Sequence, residues 1–228
     1  MIFYKKFLFI LCILFLNCSC ASLPNNVAGN FRDAFDAIGA SIFGFDDYPI
    51  TKEMVGAIPY ASLRMKIGKG SAGLLILESV EKKSYTWVSA DNVFIVVNKN
   101  GRIIETAGLT NNLKESLTTK LEDSFFENPV ILDSFVKTTR FISLDNPPVN
   151  NLTLEVSLRF IGTEEVVILG QNKELQLVEE QIENKYIRWK FTNKFWLDPE
   201  TGFVWKSIQQ IAPNIPPVLY EVTKKPAL

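Results

Sequence analysis

From Ser62 onward, apolar and polar residues alternate with a period of two. Leu63, Met65 and Ile67 interleave with Arg64 and Lys66, and Gly68-Lys69-Gly70 follows as a turn. Such alternation describes a strand with one dry and one wet side. The same reading predicts strands at residues 74–77, 84–88 and 93–97. Asn98-Lys99-Asn100-Gly101 then predicts a hairpin, because Asn-Gly tolerates the positive φ of a tight turn, and residues 102–106 form the return strand. The second half is more regular. Leu152, Leu154, Val156, Leu158 and Phe160 alternate with Thr153, Glu155, Ser157 and Arg159. Further strands are predicted at residues 165–169 and 175–182. Ile187, Trp189, Phe191 and Asn193 share one face, opposite Arg188, Lys190 and Thr192. Asp198-Pro199-Glu200-Thr201-Gly202 reads as a β-turn, with Pro and Gly placed for it. Phe203, Trp205, Ser207 and Gln209 open the next strand. Residues 218–222, after Pro213, Pro216 and Pro217, are expected as a last edge strand.

Two stretches break this rhythm. Phe31, Phe35, Ile38 and Ile42 recur at helical spacing, so residues 30–43 are predicted as an amphipathic helix that Asn30 could cap. It packs on the sheet or, alternatively, lies on a membrane surface. Leu109, Leu113, Leu117 and Leu121 recur every four residues, which suggests a short helix or a packed crossover loop; Asn146-Pro147-Pro148 is a breaker. About ten short strands with tight turns indicate an all-β fold, and a sheet that long curls or closes. The expectation is a large antiparallel meander forming a barrel or strongly curved sheet, with a short N-terminal helix. A two-sheet sandwich is the competing architecture.

The N-terminus does not follow the strand pattern. Lys5 and Lys6 precede an apolar run at residues 7–16, and Asn17-Cys18-Ser19-Cys20 closes it. This is a bacterial lipoprotein signal, cut off rather than folded. The run is too short to span a bilayer. Cys20, preceded by the small Ser19, is the expected lipidation site; Cys18 is the alternative. Residues 1–19 are thus signal, 20–29 a polar tether and 30–228 a single β-rich domain. The mature chain is expected to be held at a membrane through acyl chains, with a plain cleaved signal or an uncleaved anchor as the alternative.

Removing Lys5 and Lys6 from the 24 basic residues leaves 22 against 25 acidic ones, a net charge of −3 without a basic stripe. Nucleic acid is therefore not an expected partner. The chain contains no histidine, and its three cysteines all lie in the first twenty residues. That removes Ser-His-Asp and Cys-His nucleophiles and the commonest metal ligand. No catalytic set, metal site or cofactor is expected.

Several blocks carry a family resemblance. They are Asn30-Phe31-Arg32, Ile58-Pro59-Tyr60-Ala61-Ser62, Trp87-Val88-Ser89-Ala90-Asp91, Asn100-Gly101-Arg102-Ile103-Ile104, Thr106-Ala107-Gly108-Leu109, Phe195-Trp196-Leu197-Asp198 with Thr201-Gly202, and the late Pro216-Pro217. Together with the lipobox they resemble the group 4 capsule polysaccharide lipoproteins, the YjbF/GfcB family. Residues 114–149 carry no such block. The resemblance implies an all-β outer-membrane lipoprotein that serves exopolysaccharide or capsule export, with no settled catalytic activity.

The expected role is a non-catalytic accessory factor facing the periplasm, with exopolysaccharide or outer-membrane export proteins as partners. A carrier or binding module for a lipid or saccharide is the alternative, and it predicts a large apolar cavity. Candidate saccharide-binding residues are Trp87, Asp91, Arg102 and Trp196, because a ring can stack on the apolar face of a pyranose while charged groups hold its hydroxyls. Each also has a plainer reading: core tryptophans, aspartates in turns, a solvated cross-strand arginine. The adjacent acids Glu164-Glu165 and Glu179-Glu180 point to opposite faces, cannot act as pairs and are expected to be solvated turn acids.

Overall fold

Alternating patterns of this kind leave every strand in need of a neighbour on both sides. The computed structural model meets that need with one sheet. It describes residues 49–127, 129 and 135–227, all within one unit of the chain, Phe45–Leu228. The expected signal, the tether and the helix at residues 30–43 lie outside the described residues.

Among the described residues twelve strands follow in order: β1 (Ser62–Ile67), β2 (Gly73–Glu81), β3 (Ser84–Ser89), β4 (Phe94–Asn98), β5 (Ile103–Ala107), β6 (Leu113–Leu117), β7 (Val136–Asp145), β8 (Pro148–Ile168), β9 (Gln171–Asn184), β10 (Trp189–Leu197), β11 (Val204–Gln209) and β12 (Val218–Lys224). Helix α1 (Lys52–Ala57) precedes β1, and α2 (Lys120–Glu127) lies between β6 and β7. Thr51 caps α1 by accepting from the Met54 amide at 3.3 Å.

The strand order is β5-β4-β3-β2-β1-β12-β11-β10-β9-β8-β7-β6, antiparallel throughout. The fold is therefore the expected meander, a nearly closed barrel whose first and last strands pair. Ser62 lies opposite Lys224 and Ile67 opposite Val218. The one interval without a ladder falls between β5 and β6, which are consecutive in the chain. There the Leu113 amide donates to the Thr106 hydroxyl at 2.9 Å.

The dry face of nearly every strand points inward. Leu63, Leu75, Trp87, Ile95, Leu154, Leu158, Val178, Phe195 and Tyr220 belong to one interior core. The outer face carries cross-strand ion pairs: Lys206 with Glu221 at 2.8 Å, Arg64 with Glu221 at 3.2 Å and Lys194 with Glu179 at 3.3 Å. A second, small apolar cluster sits on that outer face. The β8–β9 hairpin overshoots β10, and its tip places Val166, Ile168 and Leu175 against Trp196, with Lys173 3.8 Å from the Trp205 ring centre.

Three sequence expectations are corrected. The leucines spaced by four span a strand and a helix, Leu113 and Leu117 on β6 and Leu121 on α2. A spacing of four keeps one face in either element, so it cannot separate them, and a register shift after Leu113 puts Leu113 inside and Leu117 outside. The last strand is not an edge, since β12 lies between β1 and β11. The pattern at residues 152–160 understates β8, a strand of 21 residues.

The predicted β4–β5 hairpin turn is present and faces inward. Asn98 Oδ1 accepts from the amides of Asn100 and Arg102, both at 3.0 Å. The Gly101 carbonyl accepts from Tyr220 Oη at 2.7 Å and Gln209 Nε2 at 2.9 Å. Gly101 adopts φ +72°, and a Cβ there would overlap the Val204 side chain. Gly101→Ala is expected to cost about 2–4 kcal/mol, combining left-handed backbone strain with overpacking. Urea denaturation measures it, and an unchanged midpoint would show that the turn is not seated in the barrel.

Candidate functional site

Alternation along β9 sends Glu179 outward and Glu180 inward. Glu180 is 0 % exposed and sits at the centre of a charged cluster. Its Oε2 accepts from Arg102 Nη1 at 2.7 Å, Asn193 Nδ2 at 2.7 Å and Arg140 Nη1 at 3.1 Å. Its Oε1 lies 2.6 Å from Arg102 Nη2 and also pairs with Arg140. Helix α2 brings the second carboxylate. Thr119 caps it, accepting from the Glu122 amide at 3.3 Å, and Glu122, Phe125 and Phe126 form its buried stripe. Glu122 Oε2 pairs with Arg140 and lies 3.4 Å from Arg102 Nη2. Two aromatic rings complete the enclosure. The Arg102 guanidinium carbon is 5.3 Å and 5.7 Å from the ring centres of Phe195 and Phe126, which meet edge to face.

The electrostatics follow from this enclosure. Burial opposes the charge on Glu180, but Arg102 and Arg140 outweigh it and hold the carboxyl well below the usual carboxylate range. Burial likewise opposes the charge on Arg140, and Glu180 and then Glu122 overcome it, holding the guanidinium firmly protonated. Burial pushes the Tyr220 hydroxyl up. Two buried arginines and two buried glutamates compensate one another, so each carboxylate has guanidinium counter-ions within the barrel. A void of about 20 Å³ beside Arg102 and Arg140 has space for a water molecule at most.

The four candidate saccharide residues are placed apart. Trp87, 2 % exposed, lies in the interior core and offers no face to a sugar. Arg102 is neither solvated nor on the surface; it is in the cluster just described. Trp196, 7 % exposed, lies under the β8–β9 tip, and its Nε1 donates to Glu164 Oε2 at 2.8 Å. Asp91 is exposed in the β3–β4 turn, where it accepts from the Ser89 hydroxyl. Of the adjacent acids, Glu164 and Glu165 lie within β8 rather than in a turn, and Glu180 is fully buried. Sequence reasoning missed Arg140, Asn193 and Glu122. Arg140 had a signal, since it occupies an inward position between Val136 and Ile142 on β7.

A cleft of about 470 Å³ opens beside α2, lined in part by Lys99, Asn100, Glu127, Gln176 and Asp198. Most of its polar groups are engaged within the protein. Lys99 pairs with Glu127 at 2.6 Å and Asn100 Nδ2 donates to Asp123 at 2.6 Å. Asp198 Oδ1 accepts from the amides of Glu200 and Thr201 at 3.1 Å and 2.9 Å.

The family model for group 4 capsule polysaccharide lipoproteins, GfcB and YjbF, matches residues 35–222. The chain belongs to this family. It is 27% identical over 183 residues to the uncharacterized lipoprotein GfcB of Escherichia coli K12, covering 80% of this chain and 85% of that one. It is 23% identical over 211 residues to the uncharacterized lipoprotein YjbF of the same organism, covering 92% and 93%. The crystal structure of the hypothetical lipoprotein YmcC from Escherichia coli K12 superposes with a TM-score of 0.68 at 27% identity, covering 85% of this chain and 96% of that one. The family assignment carries lipoprotein character and the capsule polysaccharide context to this chain.

Glu180→Gln removes a charge facing two buried arginines and is expected to cost about 3–5 kcal/mol, whereas Glu179→Gln on the outer face stays within about 1 kcal/mol. Because the folded carboxyl is held low, its contribution is fully present above the unfolded value of about 4.3 and is lost as pH falls below that range. Urea midpoints from pH 8 to pH 3 check both statements. Equal losses for the two variants would refute the assignment of Glu180 as the central counter-ion.

Proposed function

We propose that this lipoprotein is anchored at Cys20 to the outer membrane, faces the periplasm, and acts as a non-catalytic accessory factor in exopolysaccharide or capsule biogenesis or export. Membership of the capsule polysaccharide lipoprotein family carries this reading. Ala21 follows Cys20 where an aspartate would favour retention at the inner membrane. The barrel supports a binding role in two ways. Its outer face is laced with ion pairs, the opposite of the apolar band with which transmembrane barrels meet lipid. Its interior, among the described residues, holds the aromatic core and the charged cluster, which favours recognition at the surface over an apolar cargo carried inside. The buried carboxylates are sealed against arginines rather than open to a glycosidic bond, which favours binding over cleavage.

Fractionation and complementation test the proposal. Cys20→Ala is expected to shift the protein from the membrane to the soluble fraction, with Cys18→Ala remaining bound. Deleting the gene is expected to lower surface polysaccharide, restored by the wild-type chain and not by Cys20→Ala. Undiminished polysaccharide in the deletion strain would sink the proposed role.

A further inference from the structure

The rim opposite α2 carries a second cleft, of about 600 Å³, between the start of β8 and the β9–β10 turn. Its size falls within the roughly 300–1,000 Å³ of small-ligand sites. Tyr186 stands at the turn and is 98 % exposed. A fully solvated tyrosine is unremarkable on a floppy loop, but this turn is pinned. Asn184 Oδ1 accepts from the amides of Tyr186 at 3.0 Å and Ile187 at 3.2 Å, and its Nδ2 donates to the Thr153 carbonyl at 2.8 Å. The buried Asn184 thus projects the ring and ties it to β8.

Across the cleft, the side-chain amides of Asn150 and Asn151 and the Thr153 hydroxyl are exposed and make no hydrogen bond among the described residues. They offer donors and acceptors toward the same space as the ring. The charges here are already compensated: Lys185 pairs with Glu155 at 3.4 Å, and Lys190 with Glu183 at 3.8 Å. A held aromatic ring, uncommitted neutral amides and a hydroxyl, with Lys185, the one cation among the lining residues, already paired, match a ligand with an apolar C–H face and many neutral hydroxyls. We infer that this cleft binds a neutral saccharide segment, with the pyranose stacked on Tyr186 and its hydroxyls held by Asn150, Asn151 and Thr153. The polypeptide joins the barrel through α1 and β1 at the other rim, so the cleft lies at the end remote from that junction. The inference rests on the proposed polysaccharide role and gives that role a site and a ligand class.

The test titrates the full chain in detergent with neutral hexose oligosaccharides and with uronate-containing ones, read by saturation-transfer NMR and calorimetry. At least one neutral oligosaccharide is expected to bind. Tyr186→Ala is expected to weaken it at least tenfold, and Asn150→Ala several-fold, with unchanged urea midpoints since both side chains are exposed. Binding that survives Tyr186→Ala overturns the site while leaving a saccharide-binding role intact. A response to uronates alone overturns the neutral assignment. Failure of both classes, with surface polysaccharide still lost in the deletion strain, overturns saccharide recognition but not the accessory role.

Discussion

A carboxylate without water must find its partners within the fold, and Glu180 finds them on elements far apart in sequence. Arg102 comes from the turn just before β5, Arg140 from β7, Asn193 from β10, and Glu122 from α2. The cluster therefore spans the interval where the sheet has no ladder, with β5 on one side and β6 and β7 on the other. Burying four charges is costly, and the Nε groups of both arginines and Glu122 Oε1 remain without hydrogen-bond partners. Apolar residues of equal volume would fill the same space. The charges add to the inward face that apolar alternation already sets on β7 and β9, because a slip of one residue would also leave a charge unpaired. Helix α2 is subject to the same constraint, since it enters the barrel with Glu122 leading its aromatic stripe.

That interior explains the relation of the protein to its membrane. The lumen is filled with Leu, Val and aromatic side chains, and the outer wall carries Lys–Glu pairs, so the barrel turns its dry side in. Attachment then falls to the lipidated N-terminus. At the rims and on the outer face, backbone turns such as the one held by Asn184 present side chains without disturbing the core.

Much of the architecture was legible in the sequence because strand alternation is a local signal. The hairpin at Asn98–Gly101, the turn at Asp198–Gly202 and the dry face of β10 all follow from residues within a few positions of one another. The cluster was not legible, since Glu180, Arg102 and Arg140 are joined by 78 and 40 residues of intervening separation. An inward position gave Glu180 and Arg140 away in principle, but charge by itself suggested solvent. Trp87 and Trp196 show the converse. Their types fit a sugar platform, and only the closed wall and the β8–β9 overshoot reveal that both rings are covered.

The pairing of β1 with β12 has a kinetic consequence. Register partners such as Leu63 and Val222 sit near opposite ends of the described chain, so the wall cannot close until its final strand has been delivered. A chain arriving N-terminus first across a membrane would hold β1 with a bare edge throughout its transit, open to unintended pairing. That contact closes a far longer loop than the pairings of consecutive strands that make up the rest of the sheet, so its closure entropy is the larger. Until the last seven residues of sheet, Val218–Lys224, arrive, β1 has β2 as its single neighbour.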